Sequence, residues 1–283
     1  MRVWGLGIRN TLPRRFVTRH FVTRRFVTRH FVTRHFVTRH FVTRDFVTCD
    51  PMTRGLFITG TDTGVGKTYV AAMIARWLLT AGRRVGVYKP VASGCSRRRG
   101  GLVSADALAL WEAAGRPGKL ARVCPQRFAA PLAPHLAARL EGKRLDRKGL
   151  RRGLDYWMAT SEVVLVEGAG GLLSPLGRQD YVADLAADLG FPLVVVSRNT
   201  LGTINATLQT LVTAAVFRAG LRVAGVVLNH PSPPAADDPS LATNGRELAA
   251  RCRPPLLAAV AYGADRFAPA VDWWRLARHT TPA

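Results

Sequence analysis

The chain has 283 residues, of which 48% are hydrophobic, and it carries a formal net charge of +23. This length and apolar content suffice for one α/β domain or two smaller ones. No run of about 18 apolar residues is present, which argues against a membrane span. The four cysteines are far apart and form no C-x-x-C pair, which argues against a disulfide framework or a zinc site. We therefore expect a cytoplasmic protein.

Residues 1–51 form a basic tail, which from Phe16 repeats the unit Phe-Val-Thr-Arg followed by one variable residue. The tail holds 11 arginines against two aspartates, a net charge of +9, and the rest of the chain carries +14. A period of five matches neither a helix nor a strand. The tail could be a nucleic-acid-binding arm or a targeting segment. We favour a low-complexity extension upstream of a natural start at Met52, with one folded domain over residues 52–283.

The first folded segment carries the sequence Gly-Thr-Asp-Thr-Gly-Val-Gly-Lys-Thr at residues 60–68, which we call the phosphate loop. It follows an apolar run at 56–58 and precedes apolar residues at helical spacing from Val70 to Ala81. A strand, a glycine loop and a helix in this order are typical of nucleotide-binding proteins. Backbone N–H groups and the Lys67 ammonium would face phosphate oxygens. Five residues separate Gly60 from Gly66, one more than in the common pattern.

Beyond this loop, strand and helix patterns alternate and predict an α/β fold with a doubly wound, mostly parallel sheet and flanking helices. We expect residues 97–99 to be an arginine-rich loop and residues 117–135 to be irregular. Helices are predicted from residue 104, over 150–158, over 182–189, over 204–215 and, as a short piece, at 248–250. Strands are predicted at 84–88, 163–166, 193–196, 223–228 and 256–261.

Polar residues follow the predicted strands, where ligands bind in sheets of this kind. Glu167 directly follows an apolar strand, where a P-loop protein places a magnesium contact, although it could instead cap a helix. Asp106 could bind metal or only favour the helix dipole. Lys89 is interpreted as a charge clamp for anionic oxygens. His135 is interpreted as structural rather than catalytic.

Four segments together resemble the motifs of the dethiobiotin synthetase family, in that family's order and approximate spacing. They are residues 60–68, 89–94, 104–108 and 166–171, and the long gap inside the phosphate loop is itself a family trait. The resemblance implies ATP-dependent closure of a cyclic urea on 7,8-diaminononanoate with carbon dioxide. It implies that Lys67 and Lys89 are catalytic, because they would stabilise the carbamate and phosphoryl oxygens.

The same resemblance implies ATP and Mg²⁺ as cofactors, with Thr68, Asp106 and Glu167 as metal ligands. It implies substrate contacts from Ser93 and from the helix start at Gly202 and Asn205, the latter across a homodimer interface. Asn229 would read the adenine. The implied nucleotide contacts are Thr63, Gly64, Val65, Gly66, Lys67, Thr68, Asp106, Glu167, Gly168, Ala169, Gly170 and Asn229.

The sequence departs from the family pattern in three places. His230 stands where an aspartate is usual, residues 259–262 lack a common proline, and the repeat tail has no counterpart. Two alternatives remain: a DNA-binding partition-type ATPase and an amide-forming enzyme of the cobalamin pathway. The partition group usually carries a lysine early in its phosphate loop, and residues 60–64 contain none. We therefore expect small-molecule substrates, with neither a nucleic-acid nor a membrane partner.

Overall fold

A computed structural model describes residues 53–233 and 238–278, so the predictions for the basic tail lie outside the described residues. The strands are β1 (Arg54–Gly60), β2 (Val85–Tyr88), β3 (Val91–Ala92), β4 (Ser96–Arg98), β5 (Gly101–Val103), β6 (Gln126–Arg127), β7 (Val163–Gly171), β8 (Leu193–Arg198), β9 (Val223–Asn229) and β10 (Leu256–Val260). The helices are α1 (Lys67–Thr80), α2 (Ala105–Ala113), α3 (Leu120–Val123), α4 (Pro134–Leu140), α5 (Arg147–Arg152), α6 (Asp155–Thr160), α7 (Val182–Leu189), α8 (Thr203–Val216), α9 (Ser240–Arg251) and α10 (Trp273–Leu276).

The centre of the fold is a six-stranded sheet in the order β10-β9-β8-β1-β7-β2. Every pairing in this sheet is parallel, as the strand–helix alternation predicts. The strands are buried over most of their length, which explains why their sequences are continuous apolar runs rather than alternating ones. Parallel strands end at one edge, so the loops after β1, β2, β7, β8 and β9 meet there.

Several predicted boundaries are confirmed by identifiable capping interactions. Helix α2 begins after Ser104, whose side chain accepts a hydrogen bond from the N–H of Ala107. Helix α1 ends at Thr80 with Ala81 as its C-cap, and the following Gly82 has a φ of +76° while Arg83 donates its N–H to the carbonyl of Leu78. That pattern is the glycine-dependent helix stop that the sequence predicts.

Two loop predictions are wrong. Residues 97–99 are not a simple loop, because β4 and β5 pair as a short antiparallel hairpin. Its turn is possible because Gly100 and Gly101 both have positive φ angles. Residues 117–135 are not irregular throughout, since they contain α3, β6 and the first turn of α4. Strand β6 pairs with β3 and forms only through that distant partner.

Two helix predictions have the wrong length. The helix predicted over 150–158 is two short helices, α5 and α6, interrupted around Gly153. A side chain at Gly153 would have its Cβ only 2.1 Å from the hydroxyl of Tyr88, so the residue must be glycine there. Helix α9 runs for 12 residues, far longer than the short piece predicted at 248–250. The prediction was too short because the sequence of this helix is mostly polar and carries few apolar residues at helical spacing.

The main apolar core lies around β1, β7, β8 and α1, and a second cluster lies beneath α8 and α9. Trp273 is fully buried, as expected of core packing, and the guanidinium groups of Arg54 and Arg83 lie over the ring of the half-buried Trp274. Among the described residues, none of the helices combines the length and apolar character that crossing a bilayer requires.

Candidate active site

The phosphate loop connects β1 to α1 and is held from behind by the last residue of β9. Gly66 caps the start of α1 with a φ of +91°. The side-chain amide of Asn229 is fully buried and donates to the carbonyl of Val65 at 2.9 Å. A Cβ at Gly66 would lie 2.0 Å from the Asn229 nitrogen. Glycine is therefore required there both by the backbone angle and by this close approach.

The Lys67 side chain curls back over the phosphate loop. Its Nζ donates to the carbonyl of Asp62 at 2.9 Å. Burial and, after it, the nearby Lys89 ammonium lower the pKa of Lys67 to about 8, although Glu167, Asp106 and Asp62 oppose the shift. The loop therefore holds a buried cation that lacks a carboxylate partner close enough to keep its pKa at the ordinary value.

A second buried cation, Lys89, lies immediately after β2 between two carboxylates. Its Nζ is 2.5 Å from Oε1 of Glu167 and 2.9 Å from Oδ2 of Asp106. Burial alone would lower the pKa of Lys89, but Glu167 and then Asp106 outweigh it, and the pKa lies above its ordinary value. Lys89 is therefore charged throughout the physiological range.

The two carboxylates differ in their surroundings. Burial raises the pKa of Glu167, Asp106 adds to this effect, and Lys89 offsets it only in part. Asp106 is more open, with a side chain 46% exposed. Burial also acts to raise the pKa of Asp106, but Lys89 outweighs it and holds that pKa below its ordinary value. The Lys89 ammonium thus contacts two carboxyl groups, and Asp106 stays ionised more readily than Glu167.

The oxygen atoms of this group include a buried atom with no partner. The Thr68 hydroxyl donates to Oε1 of Glu167 at 2.9 Å, while the buried Oε2 of Glu167 accepts no hydrogen bond from any described residue. A hydroxyl and two carboxylates form an all-oxygen donor set, which suits Mg²⁺ together with nucleotide phosphates. Across residues 53–233 and 238–278, no cluster of three or more His, Cys, Asp or Glu side chains offers an alternative metal site.

Strand β7 brings Glu167 and its glycines into place through a local irregularity. Ile58 of β1 pairs with Glu167, and Gly60 pairs with Gly171, so two steps along β1 face four along β7. The two extra residues bulge out of the ladder, and Gly170 takes a φ of +74°. Bulges of this kind redirect backbone and side chains near active sites.

These groups share one cavity of about 750 Å³. The structure brings together most of the residues that the sequence nominates; those lining the cavity are Thr63, Gly64, Gly66, Lys67, Thr68, Lys89, Ser93, Asp106, Glu167, Ala169 and Gly170. Three nominated residues lie just behind this lining. Val65 and Asn229 support the phosphate loop, and Gly168 places its carbonyl 3.4 Å from the Lys89 ammonium.

Gly202 and Asn205 are not among the cavity-lining residues. They lie at the exposed start of α8, where Gly202 has a φ of +92° and the preceding Leu201 is 82% exposed. Within one chain, these residues and the Lys89 group therefore do not form a continuous pocket lining.

The sequence analysis missed one wall of the cavity, formed by residues 131–134 and by Ser174 and Pro175. Nδ1 of His135 lies 3.1 Å from the carbonyl of Pro175 and joins the two segments. This places His135 in a structural contact, in line with its interpretation from the sequence. The proline-rich composition of 131–134 was the only signal, because no residue in this wall carries a charge.

The lowered pKa of Lys67 predicts a pH dependence of ATP binding. Phosphate oxygens favour the ammonium form, so affinity should be constant below about pH 7, fall about twofold by pH 8 and fall about a further fivefold between pH 8 and pH 9 as that form is lost. Binding there should take up a proton. Titration calorimetry with ATP and EDTA, in two buffers of different ionisation enthalpy, measures both effects.

The matched control for this prediction is Lys67→Arg, because a guanidinium stays protonated over the whole range. Whatever its absolute affinity, the arginine variant should show no change between pH 8 and pH 9. The prediction would be contradicted if the ATP affinity of the unsubstituted protein did not change between pH 8 and pH 9. It would also be contradicted if the affinity of the arginine variant fell by the same factor. The same shift implies that the free energy of unfolding increases as the pH rises above 8, because Lys67 is then deprotonated in the folded chain but still protonated in the unfolded one.

Comparisons with known proteins agree with this geometry. A family model described as an AAA domain matches residues 54–267. The chain is 42% identical over 215 residues to a protein of Rhodopirellula baltica named ATP-dependent dethiobiotin synthetase BioD, covering 72% of this chain and 82% of that one. Proteins of the same name from Anaeromyxobacter dehalogenans and Thermodesulfovibrio yellowstonii are 46% and 36% identical. These two matches cover 69% and 75% of this chain and 84% and 90% of the relatives.

Proposed function

The chain belongs to the dethiobiotin synthetase family, and on that premise we propose that it is an ATP-dependent ligase of biotin biosynthesis. It would convert 7,8-diaminononanoate, carbon dioxide and ATP into dethiobiotin, ADP and phosphate. The observation that supports this proposal best is the convergence of Lys67, Lys89, Thr68, Asp106 and Glu167 on one cavity. Such a group stabilises anionic oxygens and needs no protein nucleophile.

The proposed reaction forms two bonds to the carbon of CO₂. One amine of the substrate adds to CO₂ and loses a proton, which gives a carbamate. A carbamate oxygen attacks the γ-phosphorus of ATP, so the bond between that phosphorus and ADP breaks and a mixed anhydride forms. The second amine then attacks the carbamate carbon, phosphate leaves with the bonding electrons, and the amine gives up a proton as the cyclic urea closes.

In this scheme the two lysines have different tasks. Lys67, at the start of α1, would contact the transferred phosphoryl oxygens, since its Nζ now rests on a carbonyl of the phosphate loop and is free to exchange that weak partner. Lys89 would stabilise the carbamate and the anhydride, because its ammonium lies deeper, beside the carboxylates. Ser93 lines the same cavity and would contact the substrate.

Mg²⁺ is proposed to be held by Thr68, Asp106 and Glu167, whose oxygens include the unpaired Oε2 of Glu167. When bound, the metal would neutralise charge on the nucleotide phosphates. The remaining nucleotide contacts are assigned to residues 63–66, to Gly168, Ala169 and Gly170 and to Asn229. The buried Oδ1 of Asn229 has no partner among the described residues, and we assign it the role of accepting from an adenine amino group.

Asp106→Asn tests the metal assignment. We expect the Mg²⁺ concentration for half-maximal activity to rise about tenfold, because a charged ligand becomes neutral. ATP binding in EDTA should stay within about twofold. Glu112→Gln is the matched control on the same helix, since Glu112 pairs only with Arg116 at the surface. An unchanged Mg²⁺ requirement, or an equal effect of the two substitutions, would count against the assignment.

We further propose a homodimer in which the start of α8 from one subunit completes the site of the other. The start and outer face of α8 expose three large apolar side chains: Leu201, Val212 and Val216 are 82%, 62% and 71% exposed. Exposed apolar surface of this kind marks interfaces. Gly202 and Asn205 would then bind the substrate carboxylate from the partner. A sedimentation-velocity profile of a monomer at micromolar concentration would exclude this arrangement.

The proposed location is the cytoplasm. The described cysteines, Cys95, Cys124 and Cys252, are all free and buried, as is usual for proteins of a reducing compartment.

One assay tests the proposed function directly. The full chain is incubated with Mg²⁺, ATP, bicarbonate and 7,8-diaminononanoate, and product is followed by mass spectrometry while phosphate is measured in parallel. We expect one dethiobiotin per phosphate and no phosphate release when the diamine is omitted. Phosphate release that is independent of the diamine, or the absence of a ureido product, would refute the proposal.

A further inference from the structure

The start of α8 is exposed to solvent, yet buried and half-buried polar side chains hold it in place from two sides. The first set, which we call the amide cluster, consists of Asn199, His230 and Asn244. The second, the hydroxyl cluster, consists of Thr61, Ser197, Thr203 and Thr207. Neither set has a role in the proposed chemistry.

The amide cluster fixes the turn between β8 and α8. The side-chain nitrogen of Asn199 donates to Nε2 of His230 at 2.8 Å, and its Oδ1 accepts from the Asn244 amide at 2.8 Å. Asn244 also donates to the carbonyl of Thr200 at 3.2 Å, within the turn itself. Asn199 and Asn244 are 8% and 2% exposed, so these bonds are shielded from water.

The hydroxyl cluster fixes the first turns of α8. Oγ of Ser197 lies 2.7 Å from Oγ1 of Thr203 and accepts from Thr207 at 2.8 Å. All three side chains are essentially buried. Thr61 of the phosphate loop lies 3.5 Å from the Ser197 hydroxyl and extends the cluster toward the nucleotide side.

Both clusters reach the phosphate loop. The N–H of Asn199 donates to the carbonyl of Asn229 at 2.7 Å, and the Asn229 amide donates to Val65. Burying so many polar groups is costly unless every one is paired. Apolar side chains could fill the same space without that cost. What paired polar groups add is direction, since a hydrogen bond weakens steeply when its angle or length changes.

We propose that the amide cluster is a positioning device that fixes the start of α8 for the carboxylate end of the substrate. His230 serves as its terminal acceptor, because Nε2 takes the Asn199 hydrogen bond and the ring proton then resides on Nδ1. The inference rests on the proposed function, which assigns the substrate carboxylate to Gly202 and Asn205. It adds Asn199, His230 and Asn244 as residues that act through that turn without touching the reacting atoms.

The test compares two substitutions of one residue on two substrates. His230→Leu removes the acceptor, whereas His230→Gln retains one, since the glutamine Oε1 can take the place of Nε2. The substrates are 7,8-diaminononanoate and its primary amide, which lacks the negative charge. Steady-state kinetics with the full chain give kcat and KM for each pair.

We expect His230→Leu to lower kcat/KM for the acid about tenfold, mainly through KM, and to change the amide less than twofold. This is below the roughly hundredfold loss that a displaced catalytic group can cause. His230→Gln should keep at least half of the preference for the acid. Arg222→Gln, an exposed change at the opposite end of β8 and β9, is the control and should leave both substrates unaffected.

Equal losses on the acid and the amide would overturn the inference, because a general structural role affects both substrates. The inference would also be overturned if His230→Leu and His230→Gln had the same kcat/KM for the acid. It would be overturned likewise if His230→Leu left kcat/KM for the acid unchanged. If His230→Leu does not fold, Asn244→Ala tests the amide cluster from its other side, because it removes the donor to Asn199 and to the carbonyl of Thr200, and it must show the same loss for the acid alone. A failure of the proposed function is distinct, since the unsubstituted protein would then form no ureido product from either substrate.

Discussion

Replacing Lys89 by methionine is expected to lower kcat/KM for ring closure about a thousandfold, while ATP affinity changes less than threefold. The ammonium is held by two carboxylates, whereas the Lys67 ammonium rests on a backbone carbonyl of the phosphate loop. It would therefore contact charge that develops on the carbamate rather than charge already present on ATP, and losing a preorganised cation of this type costs mostly transition-state stabilisation.

The same substitution should also affect stability. Glu167 is 1% exposed, and without Lys89 its charge would be buried without the ammonium that balances it, with the Thr68 hydroxyl still donating to it. Breaking such a buried pair costs about 3 to 5 kcal/mol in unfolding free energy. Since removal of Lys89 raises the pKa of Glu167 further, the destabilisation should be largest at high pH and should diminish as the pH falls and Glu167 takes up a proton. Urea unfolding at several pH values measures this.

A paired variant separates the two effects. Lys89→Met combined with Glu167→Gln removes both charges of the buried pair, so most of the stability should return while ring closure stays low. Recovery of activity in the pair would show that Lys89 only neutralises Glu167. Parallel losses of ATP binding and turnover in the single variant would assign Lys89 to the nucleotide instead.

Gly66→Ala is the second change with a large expected effect, at least a hundredfold loss of ATP affinity. The new Cβ would collide with the Asn229 amide, which is itself fixed by Val65. The loop would have to move, and with it the N–H groups that face the phosphates. Titration calorimetry with ATP measures the affinity.

Gly82→Ala is a suitable control for this change. Gly82 also has a positive φ, +76°, but a Cβ there would meet no atom within 4 Å. It should cost about 1 kcal/mol of stability, the usual penalty for a side chain in left-handed backbone, and leave ATP affinity intact. If Gly66→Ala had no larger effect on ATP than Gly82→Ala, the close approach to Asn229 would not matter for binding.

The central sheet was predictable because its strands are buried on both faces. Residues 163–166 are apolar without interruption, and α7 has the bounds that the sequence predicts, with Gly190 ending it in a left-handed conformation. The short elements were not predictable in this way. Strand β6 is held by backbone hydrogen bonds on either side of it. The N–H of Phe128 donates to the carbonyl of Ala92, and the N–H of Lys89 donates to the carbonyl of Val123. These partners lie far apart in sequence.

The site was predictable where it depends on charged or glycine residues at strand ends and helix starts. Lys67, Lys89, Asp106 and Glu167 belong to that class, and the structure brings them together. Ser174, Pro175 and residues 131–134 carry no such signal. The amide cluster was hidden for another reason, because Asn199 and Asn244 are 45 residues apart and look like ordinary loop and helix residues until the fold joins them.

The bulge in β7 also limits how this gene can vary. Glu167 reaches Lys89 because four residues of uninterrupted ladder precede it and two extra residues follow it. An inserted or deleted codon within 163–166 would slide the carboxylate by about 3.3 Å and turn it to the opposite face of the sheet. That segment can exchange one aliphatic side chain for another, but its number of residues is fixed. The exposed β4–β5 hairpin is under no such restriction and is where homologous chains should differ in length.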